Sequence, residues 1–214
     1  MSRKDVAVPL VFPDYLIVVD TPPIRVDVPD FLPGIPDDVT IPATRNRLPY
    51  LGHAGILFFD GRSGLTKYFE YGRYDRAARG LVRRHSIPDV RLAHDGRPTA
   101  TSLRATLGRI CNVAGQGGRI VGAYIEVDAG AFPRMFAYAS RRMHDNMNPS
   151  RTPYDLLSNS CMHFMKDVAA AGGANMPAVF DPRPAGYIDR VRSTFPDLDF
   201  TRPTALSVEG IRLS

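Results

Sequence analysis

Cys161 is one of two cysteines in a chain of 214 residues, and it stands where a thiol can be made reactive. The residues before it, Ser158-Asn159-Ser160, are all of helix-capping type, and Phe164 and Val168 continue an apolar helix face behind it. Cys161 therefore falls in a first helical turn, where unpaired amides and the helix dipole favour an anion and can donate to an oxyanion. A nucleophilic thiol must ionise, and its ordinary pKa of about 8.5 falls at such a position or beside an imidazolium. Position alone is a weak sign, because free cysteines are mostly small buried hydrophobes. Cys111, beside Ile110 on the apolar stripe of another helix, fits that description.

A thiol nucleophile needs a base, and the chain has five histidines. His53 opens a strand between Gly52 and Ala54-Gly55, small residues that leave room for another segment to reach the imidazole. His163 lies two residues beyond Cys161, so on a helix it points away from it. His85, His94 and His144 sit among polar residues and are expected to be solvated. His53 is thus the leading candidate, although a histidine at a strand end can equally be a hydrogen-bonded core residue.

The elements that must position these groups are of mixed kind, and the class expected is α+β. Residues 1–49 hold nine of the 19 prolines and read as short extended pieces around 15–19 and 24–28. Proline lacks an amide donor, so this segment is expected to lie over the surface or pair at sheet edges. From residue 50 the pattern is regular and predicts one domain over 50–214. Residues 52–60 and 65–74 form a hairpin around Gly61-Arg62-Ser63-Gly64. An extended run follows over 82–90, then a helix from Thr101 to Val113 with Leu103, Leu107, Ile110 and Cys111 on one side. A strand over 119–127, a helix over 132–146, the Cys161 helix ending at Gly172-Gly173, and a short helix over 187–193 complete the reading.

The order of these features resembles a known group. Gly52-His53-Ala54-Gly55 on a strand, followed much later by Asn159-Ser160-Cys161-Met162-His163-Phe164-Met165 opening a helix, resembles the circularly permuted papain-like hydrolases. These include the NlpC-type cell-wall peptidases and the lecithin retinol acyltransferase group. With Lys67 to Asp75 and Asp181-Pro182-Arg183-Pro184 added, the chain more narrowly resembles toxin domains associated with type VI secretion. The resemblance spans roughly residues 48–200 and implies an antiparallel sheet packed against helices, with the nucleophile at a helix N-terminus.

It also implies roles: Cys161 attacks, His53 acts as base and acid, and a third polar group on the strand paired with the histidine strand orients the ring. With a four-residue turn, facing residues have numbers summing to 125, so His53 lies opposite Gly72, and Tyr68 and Glu70 share its face. Glu70 is the preferred third member, and a one-residue change in the turn would bring Tyr71 there instead. The alternative for Glu70 is a solvated strand residue paired with Arg73. The chain departs from the acyltransferase pattern in having Ser160 before the cysteine, which makes Asn159 a cap or an oxyanion aid.

The remaining features bound the function. Net charge is +5, with basic pairs such as Arg83-Arg84 but no basic run interleaved with aromatics, so nucleic acid is not an expected partner. Two cysteines make no disulfide framework, though a single bridge between them is arithmetically open. No stretch reads as a signal peptide or membrane span. No Cys/His set has metal-ligand spacing, and no cofactor is implied. The leading expectation is a type VI secretion effector, made in the bacterial cytoplasm and delivered to a target cell's periplasm. There it would act as a cysteine amidase or endopeptidase on peptidoglycan stem peptides. A secretion-apparatus component and an immunity protein would be its protein partners. The alternatives are a lipid-directed acyl hydrolase or acyltransferase, a protein-cleaving cysteine protease, and a non-enzymatic binding module in which Cys161 is structural. The last survives if Cys161 is buried or its sulfur lies well beyond hydrogen-bond reach of His53.

Overall fold

The computed structural model describes residues 3–19, 24–27, 38–41, 46–48, 52–75, 79–203 and 205–213. Its strands are β1 (Asp5–Phe12), β2 (Ile17–Val19), β3 (Ile24–Asp27), β4 (Asp38–Ile41), β5 (Asn46–Leu48), β6 (His53–Phe59), β7 (Thr66–Gly72), β8 (Leu81–Arg84), β9 (Ile120–Ala123), β10 (Ile125–Val127), β11 (Asp197–Thr201) and β12 (Ala205–Val208). The helices are α1 (Ala100–Val113), α2 (Ala131–His144), α3 (Cys161–Ala171) and α4 (Pro184–Arg192). The main sheet runs β12-β11-β9-β1-β6-β7-β8, with β10 also pairing β1, and every pairing is antiparallel. The pairs β2–β5 and β3–β4 stand apart from it.

Side-chain alternation sorts the sheet into two faces. Ala54, Ile56, Phe58, Phe69 and Tyr71 pack with α2, α3 and α4. Leu57, Phe59 and Tyr68 pack with α1, where Leu103, Leu107, Ile110 and Cys111 form the predicted stripe. Both cysteines are free, and the Cys111 thiol donates to the Gly118 carbonyl at 2.9 Å, a structural role. Among the described residues no helix is long and apolar enough to cross a membrane.

The β6–β7 hairpin has the expected register, with Gly55 opposite Glu70 and Phe59 opposite Thr66. Its turn is held by Asp60, whose Oδ1 accepts from the amides of Arg62 and Ser63 at 2.9 and 2.7 Å.

The N-terminal expectation fails for residues 5–12. Although this stretch carries Pro9, β1 is buried throughout and lies in the middle of the sheet. It pairs with β6 along its length, while on its other side Val8 and Pro9 fall opposite the interruption between β9 and β10. There Tyr124 turns its amide away to the Pro196 carbonyl at 2.8 Å. The missing proline donor thus falls where the ladder is already broken. The rest of residues 1–49 lies partly outside the described residues.

Other differences are smaller. The strand expected over 82–90 stops at Arg84. The strand over 119–127 is divided at Tyr124, and the tail contributes the hairpin β11–β12.

Asp5 clips the layers together. Its buried carboxylate accepts from the Gly61 amide in the hairpin turn and from the Phe132 amide in the first turn of α2, each at 2.8 Å. Replacing Asp5 by alanine leaves both buried amides unpaired, and should lower stability by about 2–4 kcal/mol. The check is urea unfolding, with a lower midpoint at unchanged slope.

Candidate active site

His53 is the first residue of β6, pairing with Phe12 of β1. The chain enters through Gly52 at φ +64°, where a Cβ would stand 3.0 Å from the Phe12 carbonyl oxygen, so glycine suits that entry. The imidazole is only 7% exposed. Phe12 stacks beside it at 6.0 Å between ring centroids, and Tyr15 tilts over it at 5.0 Å. Nε2–H donates to Oε2 of Glu70 at 3.0 Å, and the Tyr74 hydroxyl lies 2.8 Å from the same nitrogen.

Glu70 is 3% exposed and has a full set of partners. Oε2 also accepts from the Tyr68 hydroxyl at 3.1 Å, and Oε1 accepts from Nε2 of His85 at 2.9 Å. Gly55 makes the Tyr68 contact possible, since a Cβ there would run into the phenol oxygen. Small residues beside His53 were expected to admit another segment, and the group admitted at Gly55 is this tyrosine.

Charge and burial oppose one another at both groups. Burial alone would lower the His53 pKa, but Cys161 and Glu70, through hydrogen bonding and charge, raise it to about 9. Burial alone would raise the Glu70 pKa, but hydrogen bonds and charge from His53 and His85 bring it down to about 2.

Cys161 heads α3, which packs on β6 and β7. Ser160 is the cap, and its hydroxyl donates to Nδ1 of His163 at 2.9 Å while its amide approaches the same nitrogen at 3.4 Å. His163 is therefore occupied in a capping box. Burial, then the nearby Lys166 charge, lowers its pKa. Cys161 is 4% exposed, and the Tyr154 hydroxyl donates to its sulfur at 3.9 Å. Burial and the adjacent Cys161 push the Tyr154 pKa well up.

The structure brings Cys161, His53 and Glu70 into one cluster and puts the other expected residues around it. Tyr71 faces away from Glu70, and its hydroxyl donates to the Arg79 carbonyl at 3.2 Å. Asn159 is not the cap: its amide donates to the Tyr71 hydroxyl and to the carbonyls of Thr152 and Pro153 at 2.8–3.1 Å. Its Oδ1 accepts from Arg142 at 3.0 Å, so the side chain anchors the loop before α3. Arg73, the expected alternative partner of Glu70, is exposed. His94 and His144 are exposed as expected, whereas His85 is half-buried and engaged with Glu70.

Tyr15, Tyr74, Tyr154 and His85 were not anticipated here. Tyr68 was legible as a same-face neighbour. His85 carried no local signal, and Tyr15 and Tyr154 arrive through pairings of distant segments. Among the described residues no group of three or more His, Cys, Asp or Glu side chains is arranged to hold a metal ion.

Comparison with known proteins bears on this arrangement. No curated protein sequence matches the chain significantly. A crystal structure of the type VI secretion system effector TseH is similar over 98% of this chain and 100% of that one, with a TM-score of 0.73 and 30% identity. The family profile described as "Type VI secretion system effector TseH-like" matches residues 7–176, from inside β1 to just beyond α3, and so takes in His53, Glu70 and Cys161. The chain belongs to the TseH-like family of type VI secretion system effectors.

Proposed function

We propose that this effector is a cysteine hydrolase of permuted papain-like, NlpC-type architecture, cutting amide bonds in the peptidoglycan stem peptides of a target cell. The observation that carries the reading is the buried charge cluster at the start of α3. His53, joined to Glu70 at 3.0 Å, has its pKa raised to about 9 in part by Cys161. With Nε2 committed to Glu70, Nδ1 is the nitrogen left to take the thiol proton. The thiolate then attacks the amide carbonyl carbon, and first-turn amides of α3, Cys161's own included, receive the oxyanion. The His53 imidazolium returns its proton to the departing amine, and water, activated by the neutral ring, releases the acyl group. Glu70 stabilises the imidazolium and fixes the ring. A thiol at a helix start and a basic surface facing an anionic wall both support this reading. An immunity protein and a component of the secretion apparatus are the partners proposed.

Burial of Cys161 also fits a binding module, so exposure does not discriminate. The cluster supports the enzymatic reading, because an imidazole charged by a buried carboxylate beside the thiol is what a cysteine nucleophile needs. The lipid-directed reading draws nothing from Met162 and Met165, which are core residues.

Purified protein incubated with muropeptides, phospholipid vesicles and casein should release amide-cleavage products from the muropeptides alone, read by mass spectrometry. Cys161→Ala should abolish release, and His53→Ala should reduce it by about a hundredfold or more. Equal turnover by wild type and Cys161→Ala would remove the mechanism.

The same pair sets a pH window for stability. His53 has its pKa raised on folding, so its contribution is complete below its ordinary value of 6.5 and is lost as pH rises through about 9. Glu70 has its pKa depressed, so its contribution is complete above its ordinary 4.5 and is lost as pH falls through about 2. Glu70→Gln should therefore destabilise most between pH 4.5 and 6.5, with the gap narrowing on both sides. Urea unfolding of both proteins from pH 3 to pH 9 checks this; a gap independent of pH would contradict it.

A further inference from the structure

Glu70 has two carboxylate oxygens with different company. Oε2 takes His53 at 3.0 Å and Tyr68 at 3.1 Å, while Oε1 takes His85 at 2.9 Å. A carboxylate in the interior needs its lone pairs occupied, and one with a free oxygen would turn toward whatever donor or water it could reach. His85 follows the last residue of β8, whose pairing places Arg83 opposite Glu70 and Arg84 opposite Phe69. The strand therefore delivers the His85 ring to the oxygen that β6 and β7 leave unserved. Its side chain is 22% exposed against 3% for Glu70, so it also links the buried cluster to the surface. The Tyr68 ring lies 5.9 Å from the His85 ring, confining it from the strand below.

We propose that His85 is a positioning residue for His53: by holding Oε1 of Glu70, it keeps Oε2 aimed at the His53 ring and so maintains the base in its charged, oriented state. This rests on the reading of His53 as the base of Cys161. The other titratable or charged groups acting at the cluster include Tyr68 from β7, Tyr74 and Arg73 from the turn after β7, Tyr15 from the turn after β1, Arg83 over the Tyr74 ring, Cys161 from α3 and Tyr154 from the loop before it. Tyr68 and the His53 ring bond Oε2. Among the described residues the bonds of the His85 ring are to Glu70, not to Cys161, which makes its role indirect.

The test uses the full chain with three substitutions. His85→Ala removes the ring, His85→Leu fills its space without a donor and serves if the alanine variant does not fold, and His85→Gln keeps an N–H able to reach the same oxygen. The first measurement is the His53 pKa, from the ring nitrogen chemical shifts across pH. His85→Ala and His85→Leu should lower it by roughly one unit from its value of about 9, and His85→Gln should recover most of the difference. The second measurement is the rate of Cys161 alkylation by iodoacetamide across pH, with Cys111→Ser to remove the other thiol. The upper inflection of that profile, where His53 loses its proton, should move down by about one pH unit from near pH 9 in the alanine and leucine variants and stay in place in the glutamine variant.

An unchanged or raised His53 pKa in both donor-lacking variants would overturn the proposal. So would an equal fall in His85→Gln, which would assign the effect to packing. His53→Ala is the control for the underlying reading: if it leaves the Cys161 alkylation profile unaltered, the Cys161–His53 pairing fails. The His53 pKa series still judges His85 separately.

Discussion

Glu70 is an ionised carboxylate almost without access to water, and that state is costly unless its lone pairs are occupied and positive charge is near. Meeting that condition organises the molecule around it. The β6–β7 register must put Glu70 one diagonal step from His53, because a one-residue slip would turn it to the other face. Gly55 must be small so that the Tyr68 ring can cross it, and β8 must pair far enough for His85 to arrive from the far side. In return the carboxylate holds an imidazole whose charge would otherwise be suppressed by the same burial.

Cys161 reaches this cluster from the helical layer, so the start of α3 must be held as firmly as the sheet. Its cap is self-contained, Ser160 with His163, which leaves the first-turn amides free of other side chains. The preceding loop is fastened separately by Asn159, tied to Thr152, Pro153, Tyr71 and Arg142. That loop also carries Tyr154, whose hydroxyl stands over the sulfur. One asparagine thereby fastens the loop that leads into Cys161 and carries Tyr154 beside its sulfur. At the other end of the layers, Asp5 joins the β6–β7 turn to the first turn of α2. The sheet and the helices are thus fixed relative to one another by buried polar contacts as well as by apolar packing.

The cover over the cluster has a different character. Tyr15, Tyr74 and Tyr154 belong to three separate connecting segments, while the residues they cover belong to strands and a helix start. Connections carry fewer fixed contacts than sheet or helix and open more readily. The buried His53, Glu70 and Cys161 side chains thus lie under tyrosines carried by connecting segments. The TseH-like family profile extends from β1 through α3, the interval that contains the cluster and all three tyrosines.

What the sequence determined by itself was everything set by neighbours along the chain. The Gly61 to Gly64 turn and the two-residue period of strands pointed to the β6–β7 register and favoured Glu70 beside His53, and the observed pairing removes the Tyr71 alternative. Capping residues and the apolar stripes located α1 and α3, and put Cys161 at a helix start. Tertiary structure alone decided the rest, because it depends on pairings between distant segments. Pro9 marks residues 5–12 as edge-like, yet a break between β9 and β10 opposite it allows β1 to be central. His85 looks solvated among polar neighbours until β8 carries it to Glu70, and Asn159 resembles a cap until the loop at Thr152 and Pro153 folds onto it. Local chemistry chooses which side chains point together, but only the closed sheet and the helix packed upon it decide which of them meet.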